Sequence, residues 1–186
     1  MTENEDTRTN TEIKKVSLVL PDAIDCERMF MGCSNLVDVD LELPNATTCR
    51  DMFYYCPNIT NVRLIAPKAT NYLAIFLGST SLQSVELNLP QADNCEDMFY
   101  RCPSLSSVDL SLPQATDCAS MFGSCSSLTS VTLNLPQLDI YTNMFYDCSN
   151  LETIDVTIPT SRSTASKTYV ESLELENLTS FIIHNR

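Results

Sequence analysis

The 186-residue sequence has no tryptophan, one histidine and only three glycines. A Ser-His-Asp arrangement cannot be assembled around the single His184 near the C-terminus, and the cysteines have no histidine nearby to activate them. Three scattered glycines do not form a phosphate-binding loop. The sequence therefore predicts a protein that is not an enzyme and binds no cofactor.

Basic residues and long apolar runs are also scarce. Eleven Lys and Arg against 24 Asp and Glu give a net charge of −13, whereas nucleic-acid binding relies on Lys and Arg. No apolar run approaches the roughly 18 residues that a membrane span needs. The first dozen residues are polar and acidic, unlike a signal peptide. We expect no nucleic-acid partner, no membrane insertion and no signal peptide in this chain, and the compartment stays open.

What the sequence does contain is a repeat, marked by prolines at a constant spacing of 23 residues. One unit reads P-x-A-x-x-C-x-x-M-F-x-x-C-x-x-L-x-x-V-x-L-x-L. A fixed period of this size is typical of a solenoid, in which stacked units bury a continuous core. The marking prolines are Pro21, Pro44, Pro67, Pro90, Pro113, Pro136 and Pro159.

Two parts of the unit have a recognisable pattern. The alternation in L-x-x-V-x-L predicts a strand with one buried face, and stacking makes these strands one parallel sheet. The spacing in C-x-x-M-F-x-x-C predicts about two short helical turns facing inward. We interpret the aromatic column as core rather than as a cofactor pocket; it consists of Phe30, Phe53, Phe76, Phe99, Phe122 and Phe145.

The repeat also predicts the domain organisation. Residues 1–12 are expected to be a disordered acidic tail, followed by one repeat domain at 13–186. This domain would comprise a half coil at 13–20, six repeats at 21–158 and a cap at 159–186. In the cap, Tyr169, Val170 and Leu173 have near-helical spacing, which predicts a helix over the last coil.

The strand, the following proline and the M-F-x-x-C motif resemble the BspA-type leucine-rich repeat of bacterial and protist surface proteins. Where that family usually has Ala-Phe, this sequence has Met-Phe, as at Met29-Phe30, Met52-Phe53, Met98-Phe99, Met121-Phe122 and Met144-Phe145. The resemblance implies an α/β leucine-rich-repeat solenoid, a right-handed superhelix with a parallel sheet on one face and helical turns on the other. It also implies an adhesin-like protein at the cell surface or secreted.

The nine cysteines fall into two columns. Tyr72 and Tyr141 replace cysteine in the first column and Ser79 in the second, which favours buried thiols over metal ligands. The alternative is a disulfide ladder, because stacked coils bring column neighbours about 5 Å apart. Its candidate pairs are Cys26–Cys49, Cys33–Cys56, Cys95–Cys118 and Cys102–Cys125, with Cys148 left over.

Packing does not dictate the outward positions of the strands, so these are the candidate ligand-binding face. That face is acidic and rich in Ser, Thr and Asn, which favours a basic or hydroxyl-rich protein or glycan, although a solvated face would look similar. The three acids of the first full strand lie about 7 Å apart, too far for one calcium ion, so we expect no metal. The candidate residues are Asp38, Asp40, Glu42, Arg63, Glu86, Asp109 and Asp155.

Exposed aromatics form a second candidate patch at Tyr54, Tyr55, Tyr100 and Tyr146, although they would equally shield the turns from water.

The leading functional hypothesis is a binding module for a protein or glycan ligand. The alternative is a structural or decoration subunit of a larger assembly, such as a virion or surface layer, which would be oligomeric. Saturable binding by a monomer would distinguish the first from the second.

Overall fold

The computed structural model describes residues 12–162 and 177–185. In these residues the chain forms a parallel β-solenoid of about seven coils with eight short strands, the first from the half coil at the N-terminal end. Each strand ends shortly before a repeat proline or the end of the described chain. The strands are β1 (Lys15–Val19), β2 (Asp38–Glu42), β3 (Asn61–Ile65), β4 (Ser84–Asn88), β5 (Ser107–Ser111), β6 (Ser130–Asn134), β7 (Thr153–Ile158) and β8 (Ser180–Asn185).

The strands pair in parallel with the register that the repeat predicts, so that equivalent residues lie side by side, for example Val39 beside Val62. They form two sheets rather than the single sheet expected from the sequence, with the orders β1-β2-β3-β4 and β5-β6-β7-β8. Within the described residues no strand ladder joins β4 to β5. At this break Val85 and Leu87 are only half-buried, whereas their equivalents Val39 and Leu41 are buried.

A stack of phenylalanine rings runs through the core. Neighbouring rings are nearly parallel, and their centroids lie 5.5–5.7 Å apart. The stack crosses the level of the sheet break without interruption, since Phe76 and Phe99 are 5.5 Å apart. One ring in each coil therefore packs on the ring of the next, as the aromatic column of the sequence predicts.

The expected helical turns are absent from the C-x-x-M-F-x-x-C segments, and this prediction was wrong. These segments are successive turns, and the 3-10 turn Thr160–Arg162 is the sole helical element in the described residues. Alternate N–H groups bond three residues back, as Met29 does to Cys26, while the others bond to the next coil, as Phe30 does to Met52. A helix would direct every N–H group along its own segment, so pairing between coils prevents it from forming.

Two positions of each of these segments have positive φ, which permits the change of direction. The first column has φ of 52–58° and consists of Arg28, Asp51, Ala74, Asp97, Ser120 and Asn143. The second has φ of 53–73° and consists of Gly32, Tyr55, Gly78, Arg101, Ser124 and Asp147. Residues in the first column lie directly before the pair that contains the core phenylalanine, on the turn side of the solenoid. Asp51 and Ala74 in this column are buried, and the other four are half-buried or exposed.

All nine cysteines are free and buried in the structure. The second column has an additional role, because its thiols donate to the phenylalanine carbonyl of the preceding coil, as in Cys125 to Phe99 at 3.1 Å. Ser79, which replaces cysteine in this column, makes the same bond to Phe53 at 3.1 Å. In the first column Tyr72 is fully buried and its hydroxyl donates to Ala66.

At the two ends, β1 lies in the predicted half coil and β8 in the predicted cap, where it pairs with β7. The predicted cap helix around Tyr169 lies outside the described residues, as does the predicted tail except for Glu12. Within the described part of the chain, no helix is long and apolar enough to cross a membrane.

Candidate functional site

The first sheet brings five of the seven predicted strand-face residues together. Asp38, Asp40 and Glu42 point outward from β2, Arg63 from the middle of β3, and Glu86 from the middle of β4. Residues of β1 to β4 enclose a shallow depression, which we call the β1–β4 face. It is lined by Lys15, Asp38, Val39, Asp40, Asn61, Val62, Arg63, Ser84, Val85 and Glu86.

Arg63 is the centre of this face. Its Nη1 donates to Asp40 at 2.7 Å and to Glu42 at 3.0 Å, and its Nε lies 3.6 Å from a carboxylate oxygen of Glu86. The hydrogen bonds that Arg63 donates to Asp40 and Glu42 raise the pKa of Arg63 above its ordinary value. Ion pairs across three strands therefore surround the arginine, while the side chains of the three acids remain 40–80% exposed.

A second polar row runs parallel to the first across the same strands. Ser84 donates to the side-chain oxygen of Asn61 at 2.8 Å, and Asn61 donates to Asp38 at 3.2 Å. Asp38, Asp40 and Glu86 give three negative charges on this face, against two positive charges from Lys15 and Arg63, and Glu42 at the end of β2 adds a fourth negative charge at its border. The face is therefore net acidic. Among the described residues no group of side chains has the arrangement needed to hold a metal ion.

The other two predicted residues lie in the second sheet, apart from this face. Asp109 is exposed on β5, across the break from Glu86. Asp155 on β7 lies 2.8 Å from Nε2 of His184 on β8. The seven residues therefore do not form one continuous site.

The four tyrosines form two groups rather than one patch. Tyr54 and Tyr55 contact each other edge to face, with centroids 4.6 Å apart. Tyr100 and Tyr146 lie on the coils that follow and border a separate depression. Tyr55 packs over Gly78, where an added Cβ would lie 3.1 Å from the ring. Tyr100 packs over Gly123, where this distance would be 2.6 Å.

Sequence reasoning missed the polar residues of the turn side. Asp51 is buried; its carboxylate accepts a hydrogen bond from Nε of Arg28 at 3.2 Å and forms an ion pair with Nε of Arg50 at 3.3 Å. Asp97, two units later, borders the depression beside Tyr100. The column that precedes each Met-Phe pair could have indicated these polar residues. Its Asp, Ser and Asn residues are common in the left-handed conformation.

Comparison with known proteins agrees with this architecture. The family model for the BspA type leucine rich repeat region matches residues 9–114 and 72–176, with six copies. No curated protein matches the sequence. The crystal structure of a leucine-rich repeat protein from Bacteroides ovatus ATCC 8483 superposes with a TM-score of 0.61 at 24% identity.

That superposition covers 92% of this chain and 42% of the Bacteroides protein. At this level of identity the similarity concerns the fold. The family model, by contrast, covers most of the chain and its repeat spacing agrees with the 23-residue period. The chain therefore belongs to the BspA-type leucine-rich repeat family, whose solenoids support protein interaction.

Proposed function

We propose that this protein is an adhesin-like binding module that recognises a basic, extended segment of a partner protein through the β1–β4 face. The observation that carries the proposal is the ion-pair network of Arg63, which holds Asp40 and Glu42 by hydrogen bonds and lies beside Glu86 on an open, net acidic surface. Carboxylates held in place attract Lys and Arg side chains with little loss of conformational entropy on binding.

A protein ligand fits this face better than a glycan. The outward positions of β1–β4 carry charged, polar or aliphatic residues and no aromatic ring on which a sugar could stack. Leucine-rich repeat solenoids are also typically non-enzymatic scaffolds for protein interaction. The alternative, a structural or decoration subunit, would require a fixed oligomer of the purified chain.

The experiment is a calorimetric titration with a Gly-spaced peptide that carries three Lys-Arg pairs. We expect saturable one-to-one binding by a monomer at about 50 mM salt, weakening as salt rises because the charges are exposed. Replacing two acids of the face, Asp40→Ser with Glu86→Ser, should weaken binding about tenfold.

The matched control changes the net charge equally but lies off the face. Asp22 and Glu152 are exposed, and Asp22→Asn with Glu152→Gln should leave the affinity within about twofold. Equal weakening by both double variants would mean that the peptide responds only to overall acidity, which contradicts the proposal. A fixed oligomer without peptide binding would favour the structural subunit instead.

A further inference from the structure

On the turn side, two columns of side chains flank the pair that contains the core phenylalanine. One column precedes the pair and the other follows it. In the C-terminal half of the chain, residues of these columns line a depression that shares no residue with the β1–β4 face. Its lining residues are Leu77, Asp97, Tyr100, Ser120, Asn143 and Tyr146.

The repeat contains an equivalent position at which the aspartate already has arginine partners within the chain. Asp51, two units before Asp97, pairs with Arg28 of the preceding coil and with its own neighbour Arg50. Asp51 therefore shows what an aspartate at this position of the coil binds, namely two guanidinium groups approaching through Nε.

Asp97 has neither of these arginine partners. The residues equivalent to Arg28 and Arg50 are Ala74 and Glu96, a small side chain and an acid. In the described part of the chain, no hydrogen bond or ion pair involves the Asp97 carboxylate. Burial, together with the charges of Glu96 and Asp117, raises the pKa of Asp97. A cation bound here would supply the charge that the two arginines supply to Asp51.

The aromatic residues around Asp97 suit a planar cation. Tyr100 lies against Gly123 of the next coil, and Tyr146 occupies the equivalent position two coils after Tyr100. The guanidinium carbon of Arg101 already lies 5.4 Å from the Tyr100 ring centroid. Arg101 forms no ion pair with Asp97; its guanidinium hydrogen-bonds to Tyr55 and Tyr100 instead. Guanidinium groups combine stacking on an aromatic ring with pairing to a carboxylate.

We propose that this depression binds the guanidinium group of an arginine side chain from a partner protein. Asp97 pairs with the guanidinium N–H groups, as Asp51 does within the chain. Tyr100 and Tyr146 pack against its plane, and the side-chain oxygens of Ser120 and Asn143 accept the remaining N–H groups. The site would hold one arginine and is independent of the β1–β4 face.

The test is a two-dimensional NMR titration of the full chain with N-acetyl-argininamide. We expect saturable shifts of the Tyr100, Ser120 and Asn143 amides, with a dissociation constant on the order of millimolar for so small a probe. Asp97→Asn retains a residue that tolerates positive φ and should weaken binding at least about fivefold. Asp109→Asn removes the same charge elsewhere and should leave binding unchanged.

A second variant fills the depression with an arginine side chain of the protein itself. Glu96→Arg places an arginine at the position equivalent to Arg50, so it should pair with Asp97 and abolish the shifts without lowering the melting temperature. Absence of saturable shifts in the wild type up to about 50 mM probe would overturn the proposal. So would binding that persists in both Asp97→Asn and Glu96→Arg, or shifts confined to the β1–β4 face.

Discussion

The cysteines that follow the Met-Phe pair act as hydrogen-bond donors as well as small apolar side chains. Four phenylalanine carbonyls accept both an N–H group from their own coil and a thiol from the next, as Phe99 accepts from Cys102 and Cys125. The hydroxyl of Ser79 occupies the same relation to Phe53. Donation to this carbonyl therefore explains why serine replaces cysteine here.

Replacing one such thiol should separate the contribution of its hydrogen bond to stability from the contribution of its volume. We expect Cys125→Ala to lower the free energy of unfolding by about 1–3 kcal/mol, because it removes a buried donor and leaves a small cavity. Cys125→Ser keeps the donor and should cost less. Urea denaturation of the two variants measures the difference, and a serine variant less stable than the alanine variant would contradict this role.

The burial of these thiols also predicts how stability depends on pH. Desolvation raises the pKa of Cys56, Cys125 and Cys148 from 9.0 to about 12. Above pH 9 the unfolded chain loses these protons while the folded chain keeps them, so stability falls as pH rises from 9 towards 12. Each thiol should contribute a loss of about 1.4 kcal/mol per pH unit in this range.

Urea denaturation at pH 8, 9 and 10 tests this expectation. Cys125→Ser, which lacks one of the three thiols, should lose stability less steeply than the wild type. A wild-type stability that stays constant from pH 8 to 10 would show that the thiols are already accessible in the folded protein.

At the scale of the element, the sequence was sufficient for the strands and insufficient for the turns. The alternation of Val39 and Leu41 with Asp38 and Asp40 specifies a half-buried strand because it fixes which face is buried. The apolar spacing around Met52 and Phe53 fits a helix equally well as a chain of turns. Hydrogen bonds between coils decide whether the segment forms a helix or a chain of turns. The pattern of one segment does not predict these bonds, because they depend on the neighbouring coil.

The same distinction applies to the candidate sites. The columns of the repeat correctly predicted that Asp40, Arg63 and Glu86 would be neighbours, because parallel register follows from a constant period. They did not predict the depression at Asp97. Its character depends on which arginines are missing from neighbouring coils, and this difference is visible only beside the paired Asp51.

At the scale of the whole molecule, the break between β4 and β5 coincides with an unfavourable neighbour relation. Asp40, Arg63 and Glu86 alternate in charge across three strands, and continuation of the register would put Glu86 beside Asp109. Like charges directly opposite each other destabilise strand pairing. The turn side remains bonded at this level, as between Tyr72 and Asn94, so the two halves stay connected there.

Reversing one of these charges should close the break. We expect Asp109→Lys to slow hydrogen exchange at the β4 amides by about threefold or more, because an attractive pair would stabilise the ladder. Glu152→Lys makes the same change of charge outside the break and should leave those amides unaffected. Equal exchange rates in Asp109→Lys and the wild type would exclude repulsion as the cause.

The hydrogen bonds between the C-x-x-M-F-x-x-C segments of neighbouring coils form a ladder on the turn side. Unlike the bonds between strands, these bonds point in one direction along the solenoid. In the first five of these segments, as at Cys26, Arg28, Phe30 and Gly32, alternate N–H groups bond to carbonyls of the following coil. The peptide dipoles of this side therefore add along the solenoid axis, as in a helix, with donors facing the C-terminal end and acceptors the N-terminal end. Two such solenoids could extend the ladder only head to tail, so any filament built in this way would be polar.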